Sequence, residues 1–352
     1  MAVASEVLVR SQALQWLATT LLERVGVPGE DARFAAETLV EADLRGVTSH
    51  GTRALPRYLG ALRAGGTRAR PDVRIVRQGP AFALLDGDSG LGQVVAGRAM
   101  RLAIDLARRS GLAAVAVANS NHYGAAAFYP MMAAAEGMIG LTTTNGGGKN
   151  MAAFGGAEPV VGNSPIAFAA PAGAEPPIVL DMATGVVAQG KIAVAAMRGE
   201  KIPLGWGLTA EGEPTDDPTR ATIVLPLGPK GYGLAMMMDV LSGPLHGTLM
   251  SVNTQPLAGR GHDRPSGSGH FFLALDVAAF TDLDAFREEV DRAVRAVRRS
   301  RRQRGVERVY LPGEIEWNNR QERLARGIPL HPGHAEALAR AAAELDAEVP
   351  WG

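Results

Sequence analysis

Two histidines stand in stretches of small and polar residues, His50 in TSHGTRALPRY (48–58) and His122 in SNHYGAAAFY (120–129). Each precedes a run that reads as a helix, so each ring sits at a helix mouth. Imidazole titrates near pH ~6.5, and either ring can give or take a proton around neutrality. A helix N-terminus also presents free N–H groups that favour a carboxylate or phosphate. The pair suits proton transfer beside an anionic substrate. The alternative is packing, with each histidine capping its helix and satisfying backbone groups. Asp181, in LDMATG (180–185), follows a buried-looking apolar run and needs a partner. An imidazole is a natural one, because the pair holds the ring's tautomer; a cap for a following helix is the other reading. Lys230, in PLGPKGYGLAMMMD (226–239), lies in a Gly/Pro turn opening a helix, suited to phosphate or carboxylate.

Other motifs carry less. Gly90, Gly92 and Gly97 in DGDSGLGQVVAG follow a strand, but their spacing is not that of a dinucleotide fingerprint. The next strand ends in Asn119-Ser120, where such a site needs an acid. A tight turn with close helix packing accounts for these glycines. HPGH (331–334) has no carboxylate nearby, and no metal site is expected. RAVRRSRRQR (295–304) spreads its arginines around a helix and reads as a solvated helix end.

Composition narrows the class. With 36 basic and 36 acidic residues, the chain exerts no global pull on nucleic acid or membrane. The absence of cysteine removes disulfides, thiolate nucleophiles and thiolate metal ligands. At 46% apolar and 20% charged, the chain reads as a soluble globular protein of two domains. The N-terminal stretch carries Glu6, Arg10 and Glu23 through its apolar positions, the pattern of an amphipathic helix rather than a leader. No apolar run reaches the ~18 residues of a membrane span, and a cytoplasmic location is expected.

The elements that must position these residues follow from periodicity. Residues 5–46 read as two helices joined at VGVPGED, with Gly46 as a stop. Thr48 or Ser49 then caps a helix through Leu55, Tyr58, Leu59 and Leu62, ended by Gly65-Gly66. VRIVRQ and AFALLD alternate as strands, and a helix over Gln93–Arg109 leads into the strand LAAVAVA, a β-α-β unit. Short apolar runs follow at 138–143, 166–170 and 177–181. A long loop (251–269) precedes the strand HFFLALD, and helices are predicted over 280–304 and 333–347. The expected division is a helical region (1–72), an α/β region (73–279) and a largely helical segment (280–352) packing back on the first.

Taken together the sequence resembles the type-2 malate/L-lactate dehydrogenase family. That family also includes ureidoglycolate, sulfolactate and diketogulonate oxidoreductases and cyclic ketimine reductases. The matching segments are EADLRGVTSHG (41–51), GLGQVVA (90–96), NSNHYGAAAFY (119–129), GNSPIAFAAP (162–171), LDMAT (180–184), GKI (190–192), KGYGLAMMMDVLSG (230–243), GHFFLALD (269–276) and LPGE (311–314). Their order and spacing across nearly the whole chain carry the match. The resemblance implies an α/β fold with a non-Rossmann NAD(P)-binding layer, plus a helical domain built from both ends of the chain. It implies a homodimer, NAD or NADP as cofactor, and a small carboxylate substrate. It assigns proton transfer to His122 or His50, with Asp181 orienting His50 and Ser49 beside it. Cofactor contacts would come from Leu180, Asp181 and Met182, from Lys230-Gly231, and from Pro312-Gly313-Glu314.

The chain departs from the family in two places. The arginine usually found four residues after the S-H-G histidine is replaced by Ala54, and Arg53 stands one position earlier. One residue on a helix is a rotation of ~100°, so Arg53 points elsewhere unless the turn is distorted; Arg53, and Arg57 as its substitute, are the candidates for the substrate carboxylate. TNGGGKN (144–150) replaces a Ser/Pro/apolar stretch, and its Lys149 is a second candidate for the substrate carboxylate. These changes leave a 2-oxo acid or a cyclic imine 2-carboxylate as substrate. The rival outside catalysis is a nucleotide-binding relative that has kept only the fold.

Overall fold

The computed structural model describes residues 6–145, 148–253 and 261–351. The chain begins with β1 (Val7–Val9), α1 (Ser11–Arg24), α2 (Gly29–Leu44) and α3 (Leu55–Ala64). There follow β2 (Arg74–Gly79), β3 (Phe82–Asp86), α4 (Gly92–Ser110), β4 (Leu112–Ser120), α5 (Phe128–Ala135) and β5 (Met138–Thr144). The middle holds β6 (Lys149–Ala152), β7 (Pro159–Gly162), β8 (Ile166–Ala170), β9 (Ile178–Met182) and α6 (Gln189–Arg198). Next come β10 (Gly207–Leu208), β11 (Ile223–Val224), α7 (Gly228–Ser242) and β12 (Ser268–Asp276). The last elements are α8 (Leu283–Arg299), α9 (Glu314–Arg326), β13 (Ile328–Leu330) and α10 (Pro332–Glu344).

The central sheet has the order β2-β3-β4-β12-β5-β8-β9. Only β3 and β4 run parallel, joined by α4 as the β-α-β pattern predicts. The remaining neighbours are antiparallel. A doubly wound dinucleotide site needs a parallel sheet with a switch point, and this sheet offers none. The fold is α/β without a Rossmann layer, and the failed glycine spacing has its explanation. Val95, Ala99, Met100 and Ala103 of α4 pack on Val115, Val117 and Phe272 in one core. In a second core, Leu14, Leu17, Leu39, Leu55 and Leu59 meet Ile328, Leu330 and Leu338 from the far end of the chain. The smaller sheet, β10-β11-β6-β7, lies outside both.

Several local expectations need correction. Residues 7–9 form a strand, not the start of a helix, because they pair antiparallel with Ile328–Leu330. Short alternating segments adopt whichever partner tertiary structure supplies. Thr48 and Ser49 do not cap α3; the chain makes 3-10 turns at Thr48–His50 and Thr52–Ala54 before that helix begins. The helix over 280–304 stops at Arg299. Helix α9 escaped the reading because it buries only Glu314 and has no apolar stripe. It is held by polar bonds instead, with Arg320 Nε on both carboxylate oxygens of Glu41 (2.9 and 3.0 Å) and Asn319 on the Arg45 carbonyl. Residues 254–260 of the long loop lie outside the described residues. No helix among the described residues is long and apolar enough to cross a membrane.

The start of α4 is built against the turn that carries His122. A Cβ on Gly92 would collide with the backbone carbonyls of Asn121 and His122. Gly92→Ala should therefore cost about 1–3 kcal/mol in urea unfolding, the usual penalty for overpacking, and displace the histidine turn. An unchanged unfolding midpoint would show that this contact relaxes freely.

Candidate active site

Two segments far apart in sequence deliver the histidines to one place. Strand β4 ends at Ser120, and Asn121 fixes the turn that follows. Its Nδ2 donates to the carbonyls of Ser89 (2.8 Å) and Gly90 (3.0 Å), while its Oδ1 accepts from the backbone N–H of Ser266 (3.0 Å). His50 stands on the turn between α2 and α3. That turn is gripped by the buried carboxylate of Asp43, whose Oδ2 accepts from Thr52 N–H (2.8 Å) and Thr52 Oγ1 (2.5 Å). Gly51 has no room for a side chain, since a Cβ there would collide with the same carboxylate. The rings of His50 and His122 then stack, with centroids 5.6 Å apart and planes inclined by 23°.

Each ring is oriented through Nδ1. His50 Nδ1 pairs with Ser49 Oγ at 2.8 Å. His122 Nδ1 pairs with Tyr58 Oη at 2.7 Å and accepts from Gly124 N–H at 3.3 Å. An amide N–H only donates, so this arrangement leaves the His122 proton on Nε2, where no hydrogen bond occurs among the described residues. The Arg57 guanidinium lies 5.2 Å from the centre of the Tyr58 ring. Burial, then the charges of Arg57, His50 and His270, hold His122 well below the usual imidazole range. Burial and Arg57 lower His50 as well. Both rings are neutral at pH 7.

The expected cofactor stretches converge on the end of β9. The Pro312 carbonyl accepts from Val179 N–H at 3.2 Å, and a Cβ on Gly313 would strike Val179. The Leu227 N–H donates to Thr184 O (3.0 Å) and Val186 N–H to Leu225 O (2.9 Å), seating the opening of α7 on the segment after Met182. A Cβ on Gly231 would meet Thr184 O at 2.8 Å. Leu180, Asp181, Met182, Lys230, Gly231, Pro312, Gly313 and Glu314 thus belong to one neighbourhood. Lys230 is exposed in the first turn of α7 and forms no ion pair among the described residues, which fits it for an anionic group. Glu314 is otherwise engaged: Arg298, Arg308 and Leu311 N–H hold it, and this keeps its carboxyl ionised below the usual range. Asp181, at the end of β9, keeps part of its surface exposed. Its Oδ2 accepts from Ala127 N–H at 2.8 Å, and burial raises its carboxyl to about 6.

Comparison with known proteins decides the family. The model of the malate/L-lactate dehydrogenase family matches residues 9–339. A malate dehydrogenase of Pyrococcus abyssi is 42% identical over 322 residues, covering 88% of this chain and 87% of that one. An L-sulfolactate dehydrogenase of Methanocaldococcus jannaschii is 40% identical over 309 residues, covering 86% and 87%. The solved malate dehydrogenase of Pyrococcus horikoshii superposes with a TM-score of 0.88 at 37% identity, over 97% of both chains. The chain belongs to the malate/L-lactate dehydrogenase family. It is an oxidoreductase acting on CH–OH groups.

Within this dehydrogenase the cations expected at the substrate separate clearly. The Arg57 guanidinium lies over the Tyr58 ring, and its charge acts on both histidines. Arg53 is exposed, and the ring whose proton affinity it lowers is His334, on α10. Lys149 opens β6, half-buried and without an ion pair among the described residues. Of the three glycines before it, 146 and 147 lie outside the described residues. Sequence reasoning missed Tyr58, which it placed on an apolar helix face; its ring is buried, and only the hydroxyl reaches His122. It also missed Asp43, whose one signal was an acid lodged among the apolar positions of α2.

Asp43 gives a pH test of the turn. Burial raises its carboxyl to about 6, against the opposing pull of Thr52 and Arg323. Unfolded, it would titrate near ~3.9, so between pH ~4 and ~6 the native state binds more protons than the unfolded one. Its contribution must therefore make stability fall as pH rises through that window, by up to about 3 kcal/mol, and then level off. Chemical denaturation of Asp43→Asn and the parent across pH 4–7 should show the variant losing this slope. Parallel curves would mean that Asp43 is ionised throughout.

Proposed function

We propose that this protein transfers a hydride between a nicotinamide dinucleotide, NAD or NADP, and a small 2-hydroxy/2-oxo acid. The observation carrying this reading is the stacked His50–His122 pair, with Tyr58 on His122 Nδ1 and under the charge of Arg57. The bound dinucleotide supplies or accepts the hydride. Arg57 holds the substrate carboxylate, with Lys149 as the second cation. In oxidation His122 accepts the hydroxyl proton at Nε2, in the neutral tautomer that carries its own proton on Nδ1, and becomes imidazolium; in reduction that imidazolium donates from Nε2 to the developing alkoxide and returns to the neutral Nδ1–H ring. Tyr58 serves both directions: a hydroxyl can donate to Nδ1 or accept from it, so either tautomer of His122 keeps its hydrogen bond. His50, set by Ser49, packs against the ring and fixes its plane. The Arg57 charge helps keep His122 neutral and ready as a base.

We also propose that the active form is a homodimer. The exposed side of α7 and the turn after it shows Leu234, Met237, Val240, Leu245 and Leu249 to solvent. A contiguous apolar surface of this kind marks an interface. Sedimentation should give the mass of two chains for the parent and of one for Met237→Glu; a monomeric parent would end this proposal.

The central test is steady-state oxidation of NADH and NADPH against 2-oxo acids and cyclic ketimines. His122→Ala should lower kcat by roughly 10²–10⁴-fold, the usual size of a general acid–base contribution. Arg57→Ala should raise the substrate KM and, by removing a positive charge, shift the acid limb of the pH profile upward from its position below 6.5. Full turnover in His122→Ala would refute the proton-transfer role.

A further inference from the structure

Arg45 is the only arginine classed as buried among the described residues, with 6% of its side-chain surface exposed. It closes α2, immediately before the turn of His50. Its backbone is fully used, the N–H on Glu41 O (3.0 Å) and the carbonyl on Asn319 Nδ2 (3.3 Å). Its guanidinium is not. The carboxylate paired with it, that of Glu41, lies at 3.9 Å, beyond hydrogen-bond range, and both Glu41 oxygens are already held by Arg320. No hydrogen bond from the guanidinium reaches any described residue. Fully enclosed polar atoms without partners occur elsewhere, as on Gln93 and Asp43, but none is a nitrogen of Arg45. Its donors therefore border open space.

A guanidinium with so little exposed surface and unused donors is poorly hydrated, and an anion meeting those donors would be held by charge-assisted bonds. The charges acting on Arg45 locate the space: Glu41, Glu316 near the start of α9, Arg320, and Asp181 at the end of β9. That is the neighbourhood where Leu180–Met182 and Pro312–Glu314 meet. The histidine pair is served by another cation, Arg57. An anion at Arg45 is thus on the side of the cofactor stretches, away from the reacting carboxylate.

We infer that Arg45 binds an oxyanion of the dinucleotide, its planar fork meeting two oxygens of the pyrophosphate. A guanidinium matches phosphate in this two-pronged way where an ammonium does not. Arg45 then joins α2 to the cofactor, and through the adjoining turn links cofactor binding to the placement of His50. The inference rests on the nicotinamide reading above.

Calorimetric titration of the full-length protein with NADH, NADPH and ADP-ribose tests it, beside melting of the free protein and the KM of a 2-oxo acid. Arg45→Met should weaken all three nucleotides roughly ten- to hundredfold, the size of one charge-assisted pair. The free variant should melt close to the parent, because the guanidinium makes no hydrogen bond to a described residue that the change would break. Arg45→Lys, which keeps the charge and loses the fork, should fall between and serves if Arg45→Met does not fold. Unchanged nucleotide affinity, with or without a lower melting point, would overturn the inference and leave Arg45 a structural charge. A defect confined to the 2-oxo acid KM would overturn it in favour of a substrate anion. A parent that binds no dinucleotide would overturn the nicotinamide reading and this inference together.

Discussion

The buried carboxylate of Asp43 holds the turn on which His50 stands, and the active site depends on that grip. Its Oδ2 takes both donors of Thr52, and the close approach excludes any side chain at Gly51. Thr52 Oγ1 also pairs with His334 Nε2 at 3.1 Å, which ties the turn to α10 near the C-terminal end. The same helix adds Leu338 to the core of α1, α2 and α3. The position of the His50 ring is thus set by both ends of the chain. The other ring is set independently by the sheet, through Asn121 at the end of β4 and the close seat of Gly92. The site forms where a helical core and a sheet meet, and needs both to be in register.

Electrostatics at this junction serve binding and chemistry with the same groups. A guanidinium near two imidazoles repels their protons, and burial acts in the same direction. The rings stay neutral in the presence of a cation suited to a carboxylate. A bound substrate anion would relax that repulsion and raise the proton affinity of His122 when a proton is to be held. A carboxylate at Nδ1 would instead stabilise the charged ring; the Tyr58 hydroxyl orients the ring without doing so.

The departure at Ala54 takes on meaning in this setting. His50 ends one 3-10 turn and a second, Thr52–Ala54, stands between it and α3, so helical spacing does not carry from one to the other. Arg53 turns toward α10, while Arg57 comes to the histidines from α3 itself.

Residue types alone marked His50, His122, Asp181 and Lys230, because an imidazole or carboxylate among small residues after an apolar run is a local signal. The β-α-β unit and most strands were legible for the same reason, since periodicities of 2 and 3.6 are local. Tertiary structure decided the rest. It stacked the two rings, brought Tyr58 to Nδ1, paired residues 7–9 with 328–330, and left the Arg45 guanidinium without a hydrogen bond among the described residues. None of these has a local signature: each depends on which distant surfaces bury one another. A tyrosine on an apolar helix face reads as core until the histidine at its tip is known.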